Sequence, residues 1–269
     1  MIDPMLTPAP PPLQAPAPAG LGLLGFVAAA VLFLALALAP MRAQAPTADQ
    51  LLRDSDRARG GVATGITWNA TVRTVEEGAT TERTFLVRAR GNDALVESLA
   101  PPRYKGEVML FNDRTIWFVK PGLRKPVSIS ARQRLSGEAA NGDIASTNYA
   151  RDYEGTVVGE DDVNGETTFR LELKARAKNV TYDRIRYWIA KRRHLGLKAE
   201  FLTVGGDVFK TATFDYGNTL RSPSGTFDFV SRMTIRDATG SGTVTTITFE
   251  QPRPEVHPVS MFNINNVVR

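Results

Sequence analysis

Residues 106–122 read GEVMLFNDRTIWFVKPG. Two short runs, Val108–Phe111 and Thr115–Val119, are rich in aliphatic, β-branched and aromatic residues, and Pro121-Gly122 stops the second. Asn112-Asp113 lies between them. Both residue types tolerate the left-handed backbone of a tight turn, so the stretch predicts two antiparallel strands joined as a hairpin. Alternation assigns Val108, Leu110, Ile116 and Phe118 to one face, and Met109, Phe111, Trp117 and Val119 to the other. Both faces are apolar, which predicts a central position in a sheet, with one face toward a groove and the other covered by a neighbouring segment.

The same unit recurs outward from this hairpin. Upstream, Thr47-Ala48-Asp49-Gln50 fits a capping box and predicts one short helix ending at Gly60-Gly61. Ile66–Val75, Arg83–Arg90 and Ala94–Leu99 then alternate with period 2, with Phe85, Val87 and Ala89 on one side of their strand. Downstream, Asn164-Gly165 joins Gly155–Val163 to Thr167–Ala175, the strongest hairpin signal in the chain. Phe169, Leu171 and Leu173 share a face there, as do Ile185, Tyr187 and Ile189 in Arg184–Ala190. Strands over Leu197–Val204 (with Phe201), Val208–Tyr216, Thr226–Arg236 and Thr243–Glu250 complete the series. Residues 123–152 lack strong alternation and predict a loop with a short helix over Ile144–Tyr149, a lid-like insertion. Phe262 and Val267-Val268 of the irregular tail are expected to dock.

The fold class expected is therefore mainly β (α+β). About eleven strands form a strongly curved antiparallel meander, an unclosed half-barrel with a short N-terminal helix and a helical lid insertion. Two short helices are too little to cover so large an apolar face. The face left over is the expected functional surface.

The chain of 269 residues has a formal net charge of +5 and no cysteine. Its basic residues are scattered, which argues against nucleic acid as a partner. Without cysteine there is no disulfide, no thiolate metal site and no lipidated anchor residue. Leu21–Ala39 is an unbroken run of apolar and small residues, followed by small residues at Ala43 and Ala45. That order predicts a signal peptide over residues 1–45 with cleavage after Ala45, leaving 46–269 as the mature domain. The run is also long enough for an uncleaved N-terminal membrane anchor. Either way residues 46–269 are expected outside the cytoplasm.

Catalytic chemistry finds no purchase. The two histidines, His194 and His257, read as surface-loop residues, and no metalloprotease, nucleophile-elbow or phosphate-loop pattern occurs. Glu160-Asp161-Asp162 reads as an exposed hairpin tip. No enzyme activity, cofactor or metal is expected. The aromatic and aliphatic side chains on the apolar face are instead candidates to line a groove for an acyl chain, each buried methylene contributing about 0.8 kcal/mol.

Several stretches carry a resemblance: the helix-led start, Asn112–Pro121 (NDRTIWFVKP), Val127–Ser130 (VSIS), Asp143–Tyr149, Tyr187-Trp188-Ile189, Leu197-Lys198-Ala199-Glu200 and the Gly205-Gly206 turn. Over nearly all of residues 47–269 the chain resembles the LolA/LolB-like superfamily of outer-membrane lipoprotein-sorting proteins. The resemblance implies an unclosed barrel with a helical lid and a hydrophobic cavity, carrying lipid or lipoprotein acyl chains between inner and outer membrane. It further implies an inner-membrane transporter as donor. The cavity lining it implies is Phe85, Val87, Val108, Leu110, Ile116, Phe118, Phe169, Leu171, Leu173, Ile185, Tyr187, Ile189 and Phe201. An arginine near the end of an early strand holds the lid in such carriers; Arg90 stands in the comparable place, with Ala89-Arg90-Gly91 where the family has Arg-Pro. The alternative function is a non-catalytic lipid- or lipoprotein-sensing domain that regulates or scaffolds a membrane protein.

Overall fold

Thr47 opens the first helix as its N-cap, its side-chain oxygen accepting the Gln50 amide at 3.2 Å. Helix α1 (Ala48–Arg57) buries Leu51, Leu52, Ser55 and Asp56 along one side. The computed structural model describes residues 45–145, 148–222 and 225–267. The leader at 1–44 lies outside the described residues, as do Val268 and part of the helix expected over 144–149.

From Ile66 the chain is strand after strand. The first half contains β1 (Ile66–Glu76), β2 (Ala79–Arg90), β3 (Asp93–Ala100), β4 (Val108–Asn112), β5 (Thr115–Val119) and β6 (Val127–Ile129). A covering segment follows, with the small hairpin β7 (Arg134–Ser136) and β8 (Ala139–Ala140), a 3-10 turn at Asn141–Asp143 and helix α2 (Tyr149–Asp152). The second half runs through β9 (Tyr153–Val163), β10 (Glu166–Ala175), β11 (Arg184–Ala190), β12 (Gly196–Leu202), β13 (Val208–Asp215), β14 (Asn218–Ser222), β15 (Gly225–Phe229), β16 (Arg232–Asp237) and β17 (Val244–Pro254). A 3-10 turn at Val259–Phe262 and helix α3 (Ile264–Val267) close the described chain.

Thirteen strands, more than the eleven or so expected, form one antiparallel sheet in the order β6-β5-β4-β3-β2-β1-β17-β16-β13-β12-β11-β10-β9. It is an open half-barrel. The chain leaves the centre at β1, meanders to the β6 edge, crosses through the covering segment, and restarts at the opposite edge, β9. It then returns until β17 pairs with β1, Val72 opposite Ile247. The lid segment is thus the stretch of chain that runs between the two sheet edges, while the two halves pair directly at β1–β17.

The hairpin at 106–122 is β4–β5, and the structure corrects two expectations about it. It lies one strand from the β6 edge, not centrally. Its turn is Asp113-Arg114, both residues with positive φ (43° and 63°). A two-residue turn pairs residues whose numbers have an odd sum, so Met109 faces Phe118, Phe111 faces Ile116, and Leu110 faces Trp117. Met109, Phe111, Ile116 and Phe118 therefore share the concave face, while Val108, Leu110, Trp117 and Val119 share the convex one.

Each apolar face has its cover. On the convex side Phe262 packs with Leu95 and Leu110, joined by Val108, Trp117, Met261, Ile264 and Val267. The expected docking of Phe262 and Val267 takes this form. His257, expected on the surface, is buried at 1% exposure and bonds Thr67 Oγ1 at 2.9 Å. On the concave side α1, the covering segment and the β14–β15 hairpin share the work. Phe229 of β15 stands 5.7 Å from Trp68 and 6.4 Å from Phe249, ring to ring. The run expected as one strand over Thr226–Arg236 breaks at Val230-Ser231, because its first half leaves the sheet to cover it.

Candidate functional site: the concave face and its lid

Strand alternation places one apolar side chain in two against the covering elements. Of the residues expected to line a groove, Phe85, Val87, Ile116, Leu171, Leu173, Ile185, Tyr187, Ile189 and Phe201 are buried in the main core, with Phe118 and Phe169 packed against it. Val108 and Leu110 are not on this face; they belong to the convex cluster, a consequence of the odd-sum pairing. Most of the concave surface is filled by the protein's own side chains. Tyr182 stacks on Phe201 at 3.8 Å, and Tyr149 meets Tyr187 edge-on at 5.3 Å.

Two cavities lie against the described residues of the covering segment. One, of about 160 Å³, lies between β2–β6 and the covering segment, lined by Phe85, Val96, Met109, Phe118, Ile129 and Leu135. Arg83, Ser98 and Glu107 form its polar side. The other, of about 70 Å³, lies beneath α2 and is mixed in character, with Arg59 and Asp143 among tyrosines 149, 153 and 182. The smaller space holds a few waters at most.

The lid is fastened by polar links to both halves of the sheet. Arg132 makes a bidentate pair with Asp183, both bonds 2.7 Å, and donates to the Val180 carbonyl at 2.9 Å. From the tip of the β4–β5 hairpin, Arg114 donates to Asp152 Oδ1 at 2.8 Å and to the Arg151 carbonyl at 3.2 Å. Left-handed backbone at a non-glycine residue is unfavourable, and Arg114 holds it where its side chain reaches α2. Lys210 donates to the Glu138 carbonyl at 2.7 Å, and the Ser136 and Thr74 hydroxyls lie 3.2 Å apart. Among the described residues Arg90 makes no bond to the lid; its Nε donates to the Ala63 carbonyl at 3.4 Å.

Buried charge sits directly under the lid. Asp56, on the inner side of α1, accepts the Ala150 amide at 2.9 Å through Oδ2, while Oδ1 has no partner among the described residues. Burial raises its pKa to about 7. Asp143 is raised by burial too, and accepts the Tyr182 hydroxyl at 2.8 Å. Arg59, 5% exposed, lies 4.1 Å over the Phe214 ring and 3.4 Å from the Tyr187 hydroxyl. None of these was singled out from the sequence. The available signal was a polar residue at an inward position: Ser55 and Asp56 in register with Leu51 and Leu52 on α1, Arg83 with Phe85, Ser98 with Val96. The acidic run Glu160-Asp161-Asp162 is occupied by its own neighbours, Asp161 accepting from Trp188 at 2.7 Å and pairing with Arg170.

A family model described as "-like: Uncharacterized protein" matches residues 90–269. Among solved structures, a LolA superfamily protein from Nitrosomonas europaea is 27% identical, covering 81% of this chain and 98% of its own with a TM-score of 0.74. The chain belongs to the LolA-like family. Two more distant structures share the LolA-like fold. A domain described as an outer membrane lipoprotein-sorting protein, from Vibrio parahaemolyticus, is 20% identical over 81% of this chain and 97% of its own, TM-score 0.69. A DUF1329 family protein from Desulfovibrio piger is 19% identical over 82% and 97%, TM-score 0.67. No curated protein matches. Among the described residues of the LolA-like chain, no helix is long and apolar enough to cross a membrane.

Proposed function

We propose that this LolA-like protein is a non-catalytic periplasmic carrier of lipid or lipoprotein acyl chains, moving them between inner and outer membrane. The observation that carries the reading is the construction of the lid. An open sheet with an apolar concave face is covered by one crossing segment, fastened by discrete polar links, with two small part-polar cavities beneath it. Release of those links would exchange the lid's contacts with the sheet for contacts with a chain of methylenes, each worth about 0.8 kcal/mol when buried. Residues 1–45 serve as the export signal and 46–269 as the carrier domain in this reading. An inner-membrane transporter is the donor.

The absence of cysteine makes a clean test available. A Thr74→Cys, Ser136→Cys pair, placed where the two hydroxyls lie 3.2 Å apart, locks the lid to β1 when oxidised. Fluorescent phospholipid transfer between donor and acceptor vesicles should proceed with the reduced protein and stop with the oxidised one. Equal transfer in both states, or none in either, would refute the carrier reading. Binding without transfer would favour a lipid sensor.

A further inference from the structure

The excess positive charge of this chain has one address. Residues 99–106 (LAPPRYKG) and 120–127 (KPGLRKPV) hold five of the 33 basic residues and none of the 28 acidic ones. They account for the whole formal net charge of +5, and the rest of the chain is balanced. The fold brings the two stretches together. They are the β3–β4 and β5–β6 loops with their flanking residues, at the same end of the sheet, and a Cβ at Gly106 would stand 3.1 Å from the Pro121 ring. Arg103, Lys105, Lys120, Arg124 and Lys125 are all exposed, and among the described residues none of them forms an ion pair. The carboxylates nearest in sequence are taken, Glu97 by Arg88 at 3.0 Å and Glu107 by Arg83 at 3.2 Å. Leu99, Leu123 and Val127 stand among the cations, 43%, 37% and 47% exposed. Toward the centre of the sheet the patch ends at the β1–β2 turn, with Glu76, Glu77 and Glu82.

We propose that these two loops dock the protein on an anionic phospholipid bilayer, the five cations against lipid phosphates and Leu123 and Val127 entering the headgroup zone. Charge complementarity calls for an anionic partner. Composition favours a bilayer over an acidic protein. Three of the five cations are lysine, which is depleted at protein interfaces, and the aromatic anchors typical of such interfaces are missing from the loops. Tyr104, the one aromatic residue there, is covered by the Arg83 guanidinium, 4.0 Å from its ring. The backbone also suits a water-poor interface, where an unsatisfied amide is costly. Pro101, Pro102, Pro121 and Pro126 have no N–H to satisfy. The amides of Tyr104, Lys105 and Leu123 donate within the loops, to the carbonyls of Pro101, Pro102 and Lys120 at 2.9, 3.1 and 3.1 Å. Docking of this kind needs no cargo and does not depend on the carrier reading.

Co-sedimentation with vesicles tests this, using residues 46–269, a compact unit that contains the whole described core. One set of vesicles is phosphatidylcholine alone, the other phosphatidylcholine mixed with phosphatidylglycerol. Binding should favour the anionic vesicles and weaken as salt rises from about 0.01 M to about 0.15 M, where the screening length falls from roughly 30 Å to roughly 8 Å. The triple variant Lys120→Gln, Arg124→Gln, Lys125→Gln should bind the anionic vesicles at least tenfold more weakly, each cation near such a surface contributing a factor of about five. Leu123→Ser keeps every charge and should weaken binding about fivefold through lost apolar burial. Arg73→Gln, Arg221→Gln, Arg236→Gln removes the same charge from exposed positions on β1, β14 and β16. At the higher salt that control should stay within about twofold of wild type. Equal binding to both lipid compositions, undiminished binding by the loop triple, or an equal loss in the two triples would overturn the proposal. So would failure to bind either vesicle, and retention on immobilised polyglutamate would then assign the patch to an acidic protein. Lipid transfer bears on the carrier reading alone, and its loss in the oxidised Thr74→Cys, Ser136→Cys protein leaves docking untouched.

Discussion

Replacing Asp56 by Asn changes one atom and removes a buried titration. The Asp56 carboxyl is enclosed between α1 and α2, and burial is the dominant cause of its pKa of about 7. The Ala150 and Tyr149 amides and the Arg59 charge pull it down, and Asp152 pushes it up, without overcoming burial. In the unfolded chain the group returns to about 3.9. An acid with a higher pKa folded than unfolded keeps its proton longer in the folded state. Its stabilising contribution is therefore complete below about pH 4 and is lost as pH rises toward 7. Between pH 5 and pH 7 that spans about two pH units at ~1.36 kcal/mol each, so wild-type stability should fall by ~2–3 kcal/mol from pH 5 to pH 8 through this group alone. Asp143 acts in the same direction, and only the difference between wild type and Asp56→Asn isolates Asp56. Urea unfolding at pH 5 and pH 8 measures it. The variant should be flatter by ~2–3 kcal/mol and should surpass wild type at pH 8, since Asn still offers Ala150 an acceptor. Because Oδ2 holds the Ala150 amide of α2, hydrogen exchange at that amide should quicken with pH in wild type beyond its intrinsic trend, and not in the variant. Parallel stability profiles for the two proteins would refute the argument.

Two further outcomes follow from the same geometry. Arg114→Ala removes the links to Asp152 and the Arg151 carbonyl. The arginine side chain is 29% exposed, so the stability loss should be only about 1 kcal/mol, whereas exchange at the α2 amides should rise clearly. Leu110→Ala, at the fully buried centre of the convex cluster, should cost about 3 kcal/mol of stability by leaving a cavity. In the vesicle assay it should leave the transfer rate within about twofold of wild type, unlike Phe118→Ala on the concave face.

Much of this protein is written in local sequence. The capping box at Thr47–Gln50, the Asn164-Gly165 turn and the period-2 runs determine a helix, a hairpin and the longer strands of the large sheet, because each depends on side chains a few residues apart, while the short β6, β7, β8 and β14 lie where no strand was expected. The family was also legible, through scattered stretches such as Asn112–Pro121. Tertiary structure decided what covers which face. Once the Asp113-Arg114 turn is fixed, Val108 and Leu110 must point opposite to Met109 and Phe118, and the distant Phe262 arrives to bury Leu110. The sequence alone grouped those four residues wrongly, since parity depends on the length of a turn that two residue types allow in more than one register. The lid's arginines were likewise invisible. Arg114 reaches the lid and Arg132 reaches out of it because the chain crosses from one sheet edge to the other there, whereas Arg90, placed by analogy, bonds a loop carbonyl. Pairings between residues 38 or 51 positions apart exist only after the sheet has curled, and no local propensity encodes them.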